Sequence, residues 1–454
     1  MNIERVYFIG IGGIGMSALA RYFMHEGKAV AGYDRTQTEL TLALESEGAT
    51  VCYQSGEEFI PEAFRDRATT LVVYTPAVAT THAQYVYFEQ NGFEIVKRSK
   101  MLGVIAKDKY VMAVAGTHGK TSTTSMLAYF NSISSTSGSG SAFLGGIAKN
   151  FKSNMVLGDG ERLAVEADEF DRSFLQLYPN VAVITSCDAD HLDIYGTHEA
   201  VKQAFASFAS QIKADGALVL KQGVELDVEN KDITIYRYSY DDSASDFYAT
   251  NIKPLEGGYY NFDMVSPFGT LADCRVGIPG WINVENAIAA AALLLISGCH
   301  KDKLREAMAG FSGVLRRFDF HINRPDRVYM NDYAHHPREL TAAITSVRKM
   351  FPKKKLTVMF QPHLYTRTRD FHAAFAEALS LCDDVLLMPI YPARELPIEG
   401  VSSQMIAKDI TVPVAIVEKQ DVLNVIEAKN PELFVSFGAG DIDCFCDKIA
   451  EKLQ

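Results

Sequence analysis

"AVAGTHGKTS", residues 113–122, sets a glycine-bounded turn and a Gly-Lys-Thr-Ser run between an apolar stretch and the helix-like "TTSMLAYF". A buried strand running through a glycine turn into a helix lays backbone N–H groups and a lysine around nucleotide phosphates. The usual form of that loop has a glycine five residues before the Gly-Lys pair, a place held here by Val114. The turn opens at Gly116 instead and is short. A second cluster, "FIGIGGIGMS" at residues 8–17, spells G-x-G-x-x-G through Gly10, Gly12 and Gly15, with Asp34 closing the next strand some twenty residues on. In a dinucleotide site the glycines admit a pyrophosphate to the helix N-terminus while the acid grips a ribose. One chain therefore carries two phosphate loops, neither standard; tight turns without a ligand remain the plain alternative for residues 8–17, and a structural turn with an accidental Gly-Lys-Thr for residues 113–122.

Outward from these loops, the first hundred residues alternate "VYFIGIG", "GMSALARYFMHEG", "AVAGYD", "LTLALESEG", "TLVVYTPAV" and "FEIVKRSKMLGVIAK". That rhythm predicts βαβ units and a parallel sheet. A second such pattern runs from "KYVMAVAGTHGKTSTTSMLAYF" through "RLAVEADEF", "VAVITSCDADHLD" and "GALVLKQ", each apolar run ending in polar residues as parallel strands do at their carboxyl ends. The Ser/Gly-rich "NSISSTSGSGSAF", residues 131–143, reads as a mobile loop. Short alternating segments between "DFYATNIKP" and "GIPG" predict a small antiparallel appendage, followed by the helical "NVENAIAAAALLLISG". After "GFSGVLRRF" the rhythm restarts and continues to "LFVSFGAGD".

The expected fold is α/β with three domains. They are a Rossmann-like domain over 1–107, a central P-loop ATPase-like sheet with its antiparallel appendage over 108–313, and a second Rossmann-like domain over 314–454.

A chain of 454 residues exceeds the roughly 250–300 that one core serves. Hydrophobic content of 48% with 22% charged residues is that of a globular protein, and a net charge of −12 argues against nucleic-acid binding. No apolar run approaches the roughly 18 residues of a membrane span, and "MNIERVYFIG" enters a strand without a basic leader, so a cytoplasmic protein without membrane insertion is expected. Seven scattered cysteines fit reduced thiols better than a disulfide framework.

The chemistry concentrates at predicted strand ends. Backbone amides from Gly116 onward and Lys120 can surround phosphates, and Thr121 is placed to touch magnesium. Glu166 in "VEADEFD" and His191 in "DADHLD" fall just past apolar runs, on the loop's edge if the sheet is parallel, and would complete a metal-triphosphate site. "EADEFD" as a solvated acidic loop is the bland reading. In the last third, Asp332, Tyr333, His335 and His336 cluster with Arg367 and Arg369 near strand ends, an anion-recognising pattern, although solvated charges at a helix start fit "TRTRD" equally. Two rival functions follow from the loops: an NAD-dependent oxidoreductase, which has no need of "GTHGKTS", and a nucleotide sensor without turnover.

Taken in order, "FIGIGGIGMSALA", "AGTHGKTS", "EADEFDRSF", "DADHLD", "PGWINVENAIAAAA", "GVLRRF", "NDYAHHP", "QPHLYTRTRDF", "YPARELPIEGVS" and "GAGD" resemble the Mur ligases of bacterial cell-wall synthesis over nearly the whole chain. The resemblance implies domains for a UDP-sugar, ATP and an amino acid in turn. It implies an ATP-dependent ligase joining L-alanine to the lactyl carboxylate of UDP-N-acetylmuramate through an acyl phosphate, with Mg2+. A relative attaching a preformed peptide to the same sugar acid is the alternative.

Carried over by residue, the resemblance gives Gly10, Gly12, Gly13, Ile14, Gly15, Asp34, Thr75 and Pro76 to the UDP-sugar. It gives Gly116, Thr117, His118, Gly119, Lys120, Thr121, Ser122, Asn283, Asn286, Arg317 and Asp332 to ATP. Thr121, Glu166 and His191 would hold the metal; Tyr333, His335 and Arg367 would face the sugar acid and L-alanine, with Lys120, His335 and Arg367 catalytic. Three positions depart from the family pattern: Ile282 for His, Ser186 for Asn, and Leu364 for Arg. The last leaves the carboxylate grip to Arg367, alone or with Arg369. A monomer or weak homodimer is expected.

Overall fold

The computed structural model describes residues 3–134, 138–189, 192–393 and 395–454. His191 lies outside the described residues. Apolar runs, buried on both faces in the central strands, form three sheets. In the first, β1 (Arg5–Ile9), β2 (Ala29–Tyr33), β3 (Thr50–Cys52), β4 (Thr70–Tyr74) and β5 (Glu94–Lys97) run parallel in the order β3-β2-β1-β4-β5. The order reverses between β1 and β4, the crevice where open α/β sheets take ligands. Gly10–Gly13 follow β1, and Thr75 and Pro76 follow β4.

The second sheet comprises β6 (Tyr110–Ala115), β7 (Ser141–Ala148), β8 (Ser153–Val156), β9 (Arg162–Glu166), β10 (Val181–Ile184), β11 (Ala217–Lys221) and β12 (Thr234–Tyr238). Their order is β12-β11-β10-β6-β9-β7-β8, parallel except for the β7–β8 edge pair. The central strand β6 is therefore flanked by β9 and β10, and the loops after all three open on one edge. Three further strands, β13 (Tyr248–Pro254), β14 (Tyr260–Val265) and β15 (Leu271–Arg275), make a small sheet in that order, whose short connections suit only antiparallel neighbours. The third sheet has β16 (Asp319–Asn323), β17 (Val328–Asp332), β18 (Leu356–Phe360), β19 (Asp384–Leu387), β20 (Val414–Ile416) and β21 (Leu433–Phe437) in the order β16-β17-β21-β18-β19-β20. Only β16 is antiparallel.

The chain divides into two compact units. One is Met1–Thr250 with Asp263–Cys274 and Glu285–Phe311; the other is Asn251–Phe262 with Arg275–Val284 and Ser312–Gln454. The first unit holds both glycine loops on a common core. The helix Ile14–His25, which begins at the first loop, lies on β8, where the fully buried Asn154 donates to Ser17 Oγ at 2.9 Å and to the Ile14 carbonyl and accepts from Arg21. Arg21 also pairs with Glu47 at 2.7 Å.

One expectation needs correction. The stretch 131–143 is not one mobile loop: the helix Lys120–Ser134 takes its first four residues and β7 its last three, while 135–137 lie outside the described residues. The hydroxyls of Ser132 and Ser134 bond back to Tyr129 O and Phe130 O, which lets serines continue the helix. Arg367 and Arg369 lie in the first turns of the helix Tyr365–Leu379, which follows the end of β18. Among the described residues no helix is long and apolar enough to cross a membrane.

Candidate active site

The short loop is built against its neighbours. A Cβ on Gly116, whose φ is +131°, would lie 2.1 Å from Thr185 Oγ1 and 2.8 Å from Ser186 N, so the turn closes onto the end of β10 only with glycine here. Ser186, at one of the departures from the family pattern, fills its place with a working contact: its hydroxyl lies 2.8 Å from Thr117 Oγ1 and accepts from His118 N at 2.9 Å. Thr117 in turn accepts from Asp188 N at 3.1 Å, and His118 Nε2 approaches Asp188 at 3.4 Å. Gly119, at φ +81°, is exposed, with Asn286 Oδ1 3.2 Å from where a Cβ would stand.

Lys120 folds back across the loop. Its ammonium donates to Gly116 O at 2.6 Å and meets the carboxylate of Glu169 at 2.8–2.9 Å. Burial pulls the Lys120 pKa down, but the carboxylates of Glu169, Asp168 and Glu166 outweigh it and hold the group above the ordinary lysine value. Thr121 Oγ1 donates to Glu166 Oε1 at 3.0 Å, and Glu166 Oε2 accepts from Gly145 N at 3.0 Å. A hydroxyl beside an amide-oriented carboxylate is an oxygen donor set that suits Mg2+, which keeps several waters and substrate oxygens of its own. Among the described residues no three His, Cys, Asp or Glu side chains surround a common point. Ser122 is half-buried in the same first turn.

At the first loop, Gly10 has φ +89°, and a Cβ there would stand 2.6 Å from Thr75 Cγ2, which brings the β1 and β4 loops together as the sequence groups them. Asp34 accepts from Gly12 N at 2.8 Å and Thr36 N at 3.2 Å, so its carboxylate first of all closes the glycine turn. Gly13 is the N-cap of the following helix and leaves that end without a side-chain cap. Ile14 and Pro76 are exposed. Gly15 packs under Arg98, where a Cβ would meet the guanidinium at 2.8 Å, and Arg98 reaches Asp168 at 3.4 Å. The neighbouring Lys97 pairs with Asp171. The "EADEFD" stretch thus divides its acids between the two loops.

In the second unit, Asp332 ends β17 and accepts from Phe318 N and Ala334 N, each at 2.8 Å. Burial pushes its carboxyl up, against the pull of Arg317 and the two amides. The guanidiniums of Arg316 and Arg317 lie 4.8 and 4.9 Å from the Tyr333 ring centre, each a cation–π contact. Arg316 is committed to the "GAGD" turn, donating to Gly438 O, Gly440 O and Asp443 at 2.7–2.8 Å. His335 sits 5.3 Å from Tyr333 and 5.9 Å from His363 between ring centres, with Nδ1 3.1 Å from Tyr333 O. Burial holds its pKa below the usual histidine value; Glu339 opposes this, and Arg367 and Arg317 reinforce it. His336 caps the helix Pro337–Met350 and is structural.

Arg367 Nη1 is buried without a hydrogen-bond partner among the described residues. Arg369 turns to Asp370 at 2.7 Å and is exposed. Leu364 is buried at φ +72°, and Arg367 keeps its unpartnered nitrogen while Arg369 is paired. Asn283 is buried and donates to Pro279 O at 2.7 Å; Ile282 beside it is half-buried. Sequence reasoning missed Glu169, Thr185, Arg98 and Arg316. Glu169 and Arg316 stand inside quoted motifs, but no spacing rule says which acid of "EADEFD" or which arginine of "GVLRRF" turns inward.

Comparison with known proteins fits this geometry. Residues 5–110 match the model described as Mur ligase family, catalytic domain; residues 114–294 match the Mur ligase middle domain and 316–440 the Mur ligase, glutamate ligase domain. A UDP-N-acetylmuramate–L-alanine ligase of Phocaeicola vulgatus is 48% identical, covering 100% of this chain and 99% of the relative. Its counterpart in Christiangramia forsetii is 45% identical over 100% and 98%. Among solved structures, the UDP-N-acetylmuramate-alanine ligase of Thermotoga maritima superposes with a TM-score of 0.79 at 26% identity, over 99% of this chain and 98% of that one. A murein peptide ligase of Psychrobacter arcticus shares the fold at TM-score 0.69 and 20% identity, over 99% and 98%. Two glycine loops that looked irregular by themselves are thus parts of one known architecture, and the chain belongs to the Mur ligase family.

Proposed function

We propose that this chain joins L-alanine to the lactyl carboxylate of UDP-N-acetylmuramate at the expense of ATP, in peptidoglycan precursor synthesis. The observation that carries the reading is 48% identity to a ligase of that name across the entire chain. The geometry supports it. A carboxylate is a poor electrophile, so its oxygen first attacks the γ-phosphorus of ATP, giving an acyl phosphate and ADP. The amine of L-alanine, once deprotonated, then attacks the acyl carbon, and the tetrahedral intermediate expels phosphate.

Lys120 and the loop amides of Gly116–Ser122 supply positive charge where the phosphoryl group moves, a transfer that depends mainly on positioning and neutralisation. Thr121 and Glu166 would hold Mg2+, with His191 as the further ligand; the ion neutralises phosphate charge when bound. The reading gives Asn283, Asn286, Arg317 and Asp332 to ATP. It gives Gly10, Gly12, Gly13, Ile14, Gly15, Asp34, Thr75 and Pro76 to the UDP-sugar, and so makes the spare glycine loop a diphosphate cradle. Arg367 faces a substrate carboxylate, and His335, kept neutral by its surroundings, orients substrate or accepts a proton. The three domains are 1–107, 108–313 and 314–454, and the protein works in the cytoplasm as a monomer or weak homodimer.

The deciding experiment is phosphate release with ATP, Mg2+ and UDP-N-acetylmuramate, adding L-alanine, glycine, L-serine or the tripeptide in turn. Release that depends on L-alanine is expected. Release only with the tripeptide would move the chain to the peptide-attaching relatives, and none with any acceptor would end the ligase reading.

A further inference from the structure

The ammonium of Lys120 carries three N–H donors. Two are committed: one to Gly116 O at 2.6 Å, the other to the Glu169 carboxylate, with Nζ 2.9 Å from Oε1 and 2.8 Å from Oε2. With two directions fixed, rotation about the Cε–Nζ bond is stopped and the third N–H points one way. Glu169 is itself held. It is 1% exposed, its backbone carbonyl accepts from Tyr195 OH at 2.6 Å and from Arg172 N at 2.9 Å, and Lys120 is the hydrogen-bonding partner of its carboxylate among the described residues.

We propose that Glu169 is a positioning residue: it anchors the Lys120 ammonium across the loop so that the remaining N–H is aimed at the phosphoryl group being transferred. This rests on the ATP reading of the loop. Neutralising the lysine is the rival account: Glu169 acts on that ammonium more strongly than Asp168 or Glu166 does, and those two carboxylates would remain if Glu169 were uncharged. What Glu169 supplies, and Asp168 and Glu166 do not, is a carboxylate acceptor at hydrogen-bond distance from the ammonium, on a backbone that is itself held. A misplacement of about 1 Å in such an arrangement costs up to about 100-fold in rate.

The two roles separate by substitution. Glu169→Gln keeps the reach and an acceptor oxygen but loses the charge; Glu169→Asp keeps the charge and withdraws the oxygen by one methylene. Positioning predicts that E169D loses kcat for L-alanine-dependent phosphate release by about tenfold or more with little change in KM for ATP, and that E169Q loses only about threefold. The reverse order, or equal losses, would overturn it. Melting by circular dichroism checks that each variant folds. Should E169D not fold, E169A replaces it: positioning requires E169Q to turn over about tenfold faster than E169A, and equal rates overturn the proposal. Lys120→Met separates this inference from the reading beneath it. An inactive K120M beside a fully active E169D removes the positioning role alone, whereas an active K120M removes the ATP reading of the loop.

Discussion

Gly116 and Thr185 stand so close that a Cβ on the glycine would be 2.1 Å from the threonine hydroxyl. That hydroxyl donates to Ala115 O at 3.2 Å and also to His118 O, so the end of β10 clamps the loop after β6 from beneath. Gly116→Ala adds this clash to a φ of +131°, a conformation worth about 1–3 kcal/mol of strain for a residue with a side chain. The variant is expected to lose binding of a fluorescent ATP analogue and to melt earlier. Wild-type affinity would mean that the turn is not what shapes the nucleotide site.

Lys120→Ala removes the positive charge that the proposed function assigns to the ATP phosphates. Phosphate release should fall by about 100-fold or more, the scale expected when a preorganised electrostatic partner of a transition state is deleted. Retention of full activity would show that the loop had been misread.

Arg367 offers a buried Nη1 with no hydrogen-bond partner among the described residues. A planar fork binds a carboxylate through two parallel N–H bonds, which an ammonium cannot copy. Arg367→Lys should therefore raise KM for L-alanine by about tenfold while leaving KM for ATP unchanged, since a charge-assisted bond is worth about 1.5–3 kcal/mol. Initial rates with each substrate varied in turn decide the matter. A rise confined to ATP would place the arginine elsewhere in the reaction.

His335 is kept neutral to a lower pH than an ordinary histidine, chiefly by burial. Its unfolded-state value is about 6.5. As pH falls below that value the unfolded chain takes up a proton that the folded chain still refuses, so His335 subtracts stability on the acid side and is without effect above it. Nuclear magnetic resonance of the imidazole should show a folded midpoint below about 6.5, and His335→Phe should lose less stability than wild type between pH 7 and the folded midpoint. A midpoint above 6.5 would contradict this account of the pocket.

Both glycine loops were legible in the sequence because glycine spacing and a strand-to-helix switch are local properties. The strand of Tyr110–Ala115 and the helix from Lys120 follow from an apolar run meeting Gly116 and Gly119, and the burial of Val111–Ala115 is the expected consequence. Edge placement was legible too: Glu166 ends a strand beside β6 because parallel apolar runs deliver their last residues to one side.

The sequence by itself determined the three α/β repeats, the two glycine turns and the residue types at each strand end, all of which depend on neighbours within a few positions. The tertiary structure alone decided how those types were spent. It turned Glu169 to Lys120 and Asp168 to Arg98, assigned Asp34 to its own glycine turn, committed Arg316 to "GAGD", and left Arg367 open while Arg369 paired with Asp370. The reason is physical. Period and propensity determine which face of an element is buried, whereas the partner of a charged group is set by whichever element packs against it, tens of residues away along the chain in every pair here but the adjacent Arg369 and Asp370.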